Sequence, residues 1–322
     1  MKINSSDNKV TILSIIIVNY NLAKEIEDCL NSILNNTFGN RNDYEIIIVD
    51  NNSPDKLLPE TEKKYKKSNI HFYYLNENLG FGKGCNYGFS KSSGKYLCFL
   101  NPDTLVKDDI FSPIIDLLEK DKSVGIIGPK QQVKPPFFDF SAGFSPNIFF
   151  ELFNLAGIGI FLEGFLVSAC TKINKNREME VRWILGASIL IRADLFREVD
   201  GFDKDYFMFF EEVDLCKRVN NKGLKIIYYP KLAIHHIGSV SGKKDYALYT
   251  IRSYVSKNLF ISKHYKSFGQ FIFRTLLYTQ FLSQIIIWFI SFPINRQKSK
   301  HKVKAFVYLL KNKMEYSNGT VL

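Results

Sequence analysis

The sequence predicts an α/β protein: a mostly parallel central sheet flanked by helices, followed by C-terminal amphipathic, membrane-associating helices. Three observations carry this. The runs Ile12–Val18, Glu45–Val49 and Tyr96–Leu100 are nearly continuous in apolar, largely β-branched residues, as strands buried on both faces are. The segment between the first two repeats its apolar residues at helical spacing. Each apolar run also ends abruptly in polar residues, and parallel sheets bind ligands at the carboxyl ends of their strands.

In chain order, Ile12–Val18 is the first strand and runs into Asn19-Tyr20-Asn21. Leu22–Leu34 places Leu22, Ile26, Cys29, Leu30 and Ile33 on one face of a helix. Glu45–Val49 is the second strand and ends in Asp50-Asn51-Asn52-Ser53. His71–Leu75 is an extended segment before a helix over Gly84–Ser90, and Tyr96–Leu100 ends in Asn101-Pro102-Asp103. Strands alternating with helices imply parallel pairing. Val124–Ile127 and Trp183–Ile191 read as further strands, Ala193–Val199 as a short helix, Glu211–Val219 as an amphipathic helix and Leu224–Tyr229 as a last strand. Phe137–Cys170, between these elements, is apolar with few charges.

Composition narrows the function. Of 322 residues, 46% are hydrophobic and 23% charged, which suits a globular chain with a sizeable core. The net charge of +11 is confined: Lys243–Leu322 holds fourteen Lys/Arg and two acids, Asp245 and Glu315. A near-neutral body with a basic end argues against a nucleic-acid partner. The five cysteines lack metal-site spacing and read as reduced, buried apolar residues. The polar N-terminus predicts no signal peptide, hence a cytoplasmic protein.

The common nucleotide-binding patterns fit this sequence unequally. The first strand is not followed by G-x-G-x-x-G, and Gly82-Lys83 is followed by Gly84 rather than a hydroxyl residue, so the dinucleotide and P-loop readings are weak. A third arrangement fits. Asp50 at a strand end can accept hydrogen bonds from a base or ribose. Glycines over Gly80–Gly84 permit close backbone approach to a diphosphate, with Lys83 adding charge. Asn101-x-Asp103 offers oxygen ligands for Mg²⁺ or Mn²⁺.

The stretches SIIIVNYN, EIIIVDNNSPD, NENLGFGKGCNYGF and FLNPDT, in this order, resemble the nucleotide-sugar half of family-two glycosyltransferases with the GT-A fold. Trp183–Arg218 resembles the acceptor half with its carboxylate-bearing helix, and His235–Gly242 with Tyr254-x-x-Lys257-Asn258 its closing segments. Within the family the chain is most similar to rhamnosyltransferase-like enzymes of surface-polysaccharide assembly. Asn101-Pro102-Asp103 stands where many members carry Asp-x-Asp, and Lys257-Asn258 where Arg-Asn is usual, which keeps charge but loses the guanidinium fork.

The resemblance implies an inverting glycosyltransferase that moves a sugar from a nucleotide-diphospho-sugar, dTDP-rhamnose or a UDP-hexose, to a lipid-linked saccharide acceptor. Glu212 would be the catalytic base. Val18, Asn19, Tyr20, Asp50, Asn78, Gly80, Lys83, Asn101 and Asp103 would bind the nucleotide sugar. Asp103 and His236 would hold a divalent cation; His236 is preferred to His235 for its spacing to Ser239, Ser241 and Gly242. Trp183, Gly186, Glu211 and Asp214 would line the acceptor site. Bland alternatives stand beside these: first-turn acids also serve the helix dipole, Asp214 and Arg218 at i, i+4 make a surface pair, and Trp183 fits a core. A rival function is a non-catalytic nucleotide-sugar-binding component of an assembly complex.

The expected organisation is a catalytic domain over 1–242, divided into a nucleotide-sugar half (1–105) and an acceptor half (106–242) with an apolar insertion at 137–170. A basic, apolar region follows over 243–322. Within it Thr275–Ile294 is long enough to span a bilayer but carries Gln280 and Gln284 and has basic residues on both sides. That predicts peripheral association with an anionic membrane surface at the inner face of the cell membrane, Phe144–Val167 helping and Ala305–Leu310 forming a second short helix. The alternative is a helix packed on the body or on a second subunit of a homo-oligomer.

Overall fold

The computed structural model describes residues 11–36, 44–55, 58–65, 69–132, 140–144, 146–237, 245–293 and 296–315. Its elements are β1 (Leu13–Asn19), α1 (Ala23–Asn36), β2 (Tyr44–Asp50), α2 (Leu58–Tyr65), β3 (Ile70–Tyr74), α3 (Phe81–Ser90), β4 (Tyr96–Leu100), β5 (Thr104–Val106), α4 (Phe111–Lys120), β6 (Val124–Gln132), β7 (Ala142–Gly143), α5 (Ile148–Asn154), α6 (Gly159–Ile173), β8 (Met179–Val181), β9 (Trp183–Ile184), β10 (Ser188–Arg192), α7 (Ala193–Glu198), α8 (Glu211–Asn221), β11 (Lys225–His236), α9 (Tyr246–His264), α10 (Ser267–Ile290) and α11 (Arg296–Lys311).

The main sheet runs β3-β2-β1-β4-β10-β6-β11-β5, with β8 paired to β11. β1 to β4 lie parallel to one another and β6 is parallel to β11. β10, β5 and β8 are antiparallel to their neighbours. The apolar runs explain why β1, β2 and β4 lie inside the sheet, each paired on both sides. Alternate residues of each point to opposite faces, so Ile15, Ile17, Ile46, Ile48 and Cys98 join one core under α1 and α4. Ile16, Val18, Ile47, Val49, Leu97 and Phe99 join the other, under α3, α7 and α8. Helices α9–α11 enclose a third core around Phe273, Leu277, Phe281 and Phe306.

Two expected strands change shape. Trp183–Ile191 is not continuous: it breaks at residues 185–187 into β9 and β10. The last strand does not stop at Tyr229 but continues to His236, with an irregularity in its register between Tyr229 and Ala233. The four buried cysteines, Cys29, Cys85, Cys98 and Cys216, and the half-buried Cys170 are free thiols, and burial pushes Cys29 and Cys216 up to about 12.

Candidate active site

The ends of β1 and β2 carry one hydrogen-bonded group. Asn19 Nδ2 donates to Asp50 Oδ1 at 2.7 Å and to Ser53 Oγ at 3.0 Å. Ser53 donates to the same carboxylate through its hydroxyl, 2.6 Å, and its backbone N–H, 3.0 Å. Asp50 is thereby fixed in place at the edge of a pocket of about 80 Å³, lined also by Asp55, Leu58, Pro59, Tyr74 and Leu75. Tyr20 is exposed beside this group, whereas the Val18 side chain is buried.

Beyond it, Asn51 ties the next loop down. Its Nδ2 donates to Asn78 Oδ1, 2.9 Å, and to the Gly80 carbonyl, 3.0 Å, while its Oδ1 accepts from Leu79 N–H at 2.9 Å. Gly80 has φ of 85°, and a Cβ there would stand 2.1 Å from the Phe207 carbonyl oxygen, so only glycine fits. Gly82 faces Phe202 and Glu211, and Gly84 faces Val18. These glycines, read from sequence as room for a diphosphate, therefore serve close packing of α3 against protein. Lys83, between them, is half-buried.

At the end of β4, Asn101 N–H donates to the Ala187 carbonyl, 3.0 Å. Asp103 follows, buried, with Oδ1 3.2 Å from His236 Nε2. β11 reaches this point because it pairs with β5, setting His236 opposite Thr104. Asp103 and His236 thus converge from distant parts of the chain, and the Nδ1 of His236 is buried with no partner. Among the described residues no group of three or more His, Cys, Asp or Glu side chains is placed to hold a metal ion by itself. Ser239, Ser241 and Gly242 lie outside the described residues.

The broken strand explains Gly186. Residues 185–187 pass from the Asn101 contact to α8, and a Cβ at Gly186 would lie 3.6 Å from Glu212 Cβ. Trp183 packs between two hydrophobic clusters rather than standing free. At the start of α8, Glu211 and Glu212 are both buried, and the Oε2 of each has no partner. Burial pushes the Glu212 carboxyl up to about 7, partly offset by backbone N–H groups at the helix start. Burial and the neighbouring Glu212 hold Glu211 well above the carboxylate range. The turn that delivers the pair is unusual: Phe209 and Phe210 have φ of 69° and 65°, a region that L side chains seldom adopt. The surrounding structure holds it, because Phe81 N–H donates to the Phe207 carbonyl and Ser256 Oγ to the Met208 carbonyl.

Asp214 does not face an acceptor site. It is 1% exposed, with Arg218 Nε at 2.7 Å and His264 Nε2 at 2.6 Å, so both oxygens are engaged inside the protein. The pair with Arg218 exists as spacing suggested, but buried rather than on the surface. Arg218 also donates to the Val199 and Gly201 carbonyls. His264 had no motif around it, so only the fold could reveal it. Lys257 likewise is spent on a buried ion pair with Glu151, 2.5 Å, and Asn258 accepts from Arg274 Nε.

Residues 14–162 match the family described as glycosyl transferase family 2. The chain is 28% identical over 247 residues to "Rhamnosyltransferase WbbL" of Escherichia coli (strain K12), covering 72% of this chain and 83% of that protein. It is 22% identical over 268 residues to "N-acetylglucosaminyl-diphospho-decaprenol L-rhamnosyltransferase" of Mycobacterium tuberculosis (strain CDC 1551 / Oshkosh), covering 78% and 84%. Its fold resembles that of GalNAc-T7, described with UDP, GalNAc and Mn²⁺, with a TM-score of 0.54 at 15% identity over 71% of this chain and 44% of that one. It also resembles S. aureus TarS 1-349 in complex with UDP, with a TM-score of 0.51 at 15% identity over 97% and 94%. The match to glycosyl transferase family 2 thus covers residues 14–162, the fold is GT-A-like, and the chain is a glycosyltransferase similar over most of its length to rhamnosyltransferases.

Proposed function

We propose that the protein transfers a sugar, rhamnose foremost, from a nucleotide-diphospho-sugar to a lipid-linked saccharide, inverting the anomeric carbon, at the inner face of the cell membrane. The observation that carries the chemistry is the buried Glu211–Glu212 pair. A general base works best with a pKa near the operating pH. Glu212, at about 7, can be ionised while Glu211 keeps its proton. Glu212 takes the proton of the acceptor hydroxyl, the new bond forms from that oxygen to the anomeric carbon, and the bond to the diphosphate breaks with its electrons leaving on the nucleotide. Asn19, Asp50 and Ser53 hold the base or ribose, and Lys83 faces the diphosphate.

Asp103 and His236 would hold a divalent cation, Mg²⁺ or Mn²⁺. The residues fit this: a carboxylate and an imidazole nitrogen converge at 3.2 Å, and a two-ligand set suits an ion whose remaining sites are filled by phosphate oxygens and water. When bound, the ion supplies positive charge to the departing diphosphate. The relatives support rhamnose and a polyprenyl-linked acceptor by their names.

The test is Glu212→Gln. Transfer should fall by about 10²–10⁴-fold while donor stabilisation against heat is retained. Undiminished transfer with donor bound would remove Glu212 from the mechanism.

A further inference from the structure

Among the described residues α10 is the one helix long and apolar enough to cross a membrane. Its surroundings point elsewhere. One face, with Phe273, Leu277 and Phe281, is buried against α9 and α11. The opposite face leaves Phe268, Phe271, Leu282, Ile286, Phe289 and Ile290 exposed, Phe289 by 75%. These recur at helical spacing and form one stripe along the helix.

α11 packs along α10 in the opposite direction, since the rings of Phe281 and Phe306 are 5.7 Å apart and Lys298 Nζ lies 5.6 Å from the Trp288 ring. α11 bears Arg296, Lys298, Lys300, Lys302 and Lys304. A spanning α10 would draw those cations into hydrocarbon, where charge is expensive. A helix lying in the membrane plane keeps the exposed Arg296, Lys300 and Lys304 beside the headgroups, while Lys302 turns inward, its Nζ donating to Thr250 Oγ1 at 2.8 Å.

A second apolar strip adjoins. The α5–α6 hairpin exposes Phe149, Leu152, Ile160, Phe161 and Phe165. It is fixed to α10 where Ser283 Oγ donates to the Leu155 carbonyl, 2.7 Å, and to α9 through Glu151–Lys257. At the far end of α10, Arg296 lies over Phe292 and Lys298 over Trp288, the pairing of cations and aromatic rings found at membrane interfaces.

We infer that α10 and the α5–α6 hairpin together form an in-plane seat for an anionic bilayer, entering one leaflet without crossing it. The occupant follows from charge: from Lys243 onward the chain carries fourteen Lys/Arg against two acids. Lys257 and Lys263 are spent on carboxylates, but Arg296, Lys300 and Lys304 stay exposed on the helix packed along α10, and a lipid surface bearing negative charge matches an apolar strip beside such cations. The inference rests on the membrane location proposed above and gives it a surface and an orientation.

Flotation of the full chain with sealed vesicles tests it. Recovery with vesicles of about 30% phosphatidylglycerol should exceed recovery with pure phosphatidylcholine at least tenfold. The double substitutions Ile286→Glu/Phe289→Glu and Phe161→Glu/Phe165→Glu should each lower recovery severalfold while leaving the melting temperature unchanged. In a Cys170→Ser background, Lys266→Cys and Lys300→Cys should both react with an impermeant maleimide added outside. Reaction of only one would make α10 a membrane span and overturn the in-plane seat. Absence of flotation, or a concentration-dependent dimer that shields the strips, would overturn the lipid partner. Heat stabilisation by nucleotide sugars is read in parallel: its loss in a protein that floats counts against the transferase reading alone, and its retention in one that does not float counts against the seat alone.

Discussion

Glu211 and Glu212 differ in environment more than in chemistry. Both are raised by burial, so the folded chain takes up protons that the unfolded chain would release. Stability from these groups is therefore full below the ordinary carboxylate value and declines as pH rises toward the folded value. Glu211→Gln should remove one such proton: as pH rises above the ordinary carboxylate range, its stability relative to the native chain should rise, measured by urea unfolding. In the proposed mechanism catalysis runs the other way, since Glu212 would work ionised. Rate should climb about tenfold per pH unit below 7 and level off above it, and a profile flat from pH 5 to 8 would exclude Glu212 as base. At the same scale, the Asp214 carboxylate links α8 to the end of α9. Asp214→Ala leaves Arg218 without its carboxylate and should cost about 3–5 kcal/mol, and His264→Ala about 2 kcal/mol, by thermal or urea unfolding. The paired acids were legible in the sequence. The commitment of Asp214 was not, because His264 lies fifty positions away and nothing local announces it.

Elements were legible where periodicity was strong. β1, β2, β4, α1 and α8 follow the apolar patterns within a residue or two, because strands buried on both faces and one-sided helices have no other way to hide those side chains. α2, α4 and the α5–α6 hairpin were not separately resolved, being short or apolar without a clear stripe. The break at residues 185–187 was invisible as well: it answers to α8, which approaches from elsewhere in the chain. The glycines of α3 show the same dependence. A Cβ at Gly84 would lie 2.8 Å from Val18 Cγ1, so Gly84→Ala should push α3 off β1 and destabilise by about 1–3 kcal/mol, with donor affinity falling alongside. Unchanged unfolding would show that the contact relaxes freely.

Across the whole molecule, two cores sandwich the sheet and a third binds the C-terminal helices. If Asp103 and His236 hold a divalent ion together with the donor, nucleotide sugar at about 100 times its Kd should stabilise the protein by about 2.7 kcal/mol. Chelation should abolish most of that gain, as scanning calorimetry would show. By itself the sequence determined the α/β class, the polar strand ends, the paired acids and the concentration of positive charge from Lys243 onward, because burial patterns and charge counts are local properties. Only the tertiary structure decided that Asp103 meets His236, that Asp214 turns inward, and that the apolar faces of α10 and the α5–α6 hairpin adjoin. Those facts depend on which distant segments pack together, and no local pattern encodes that.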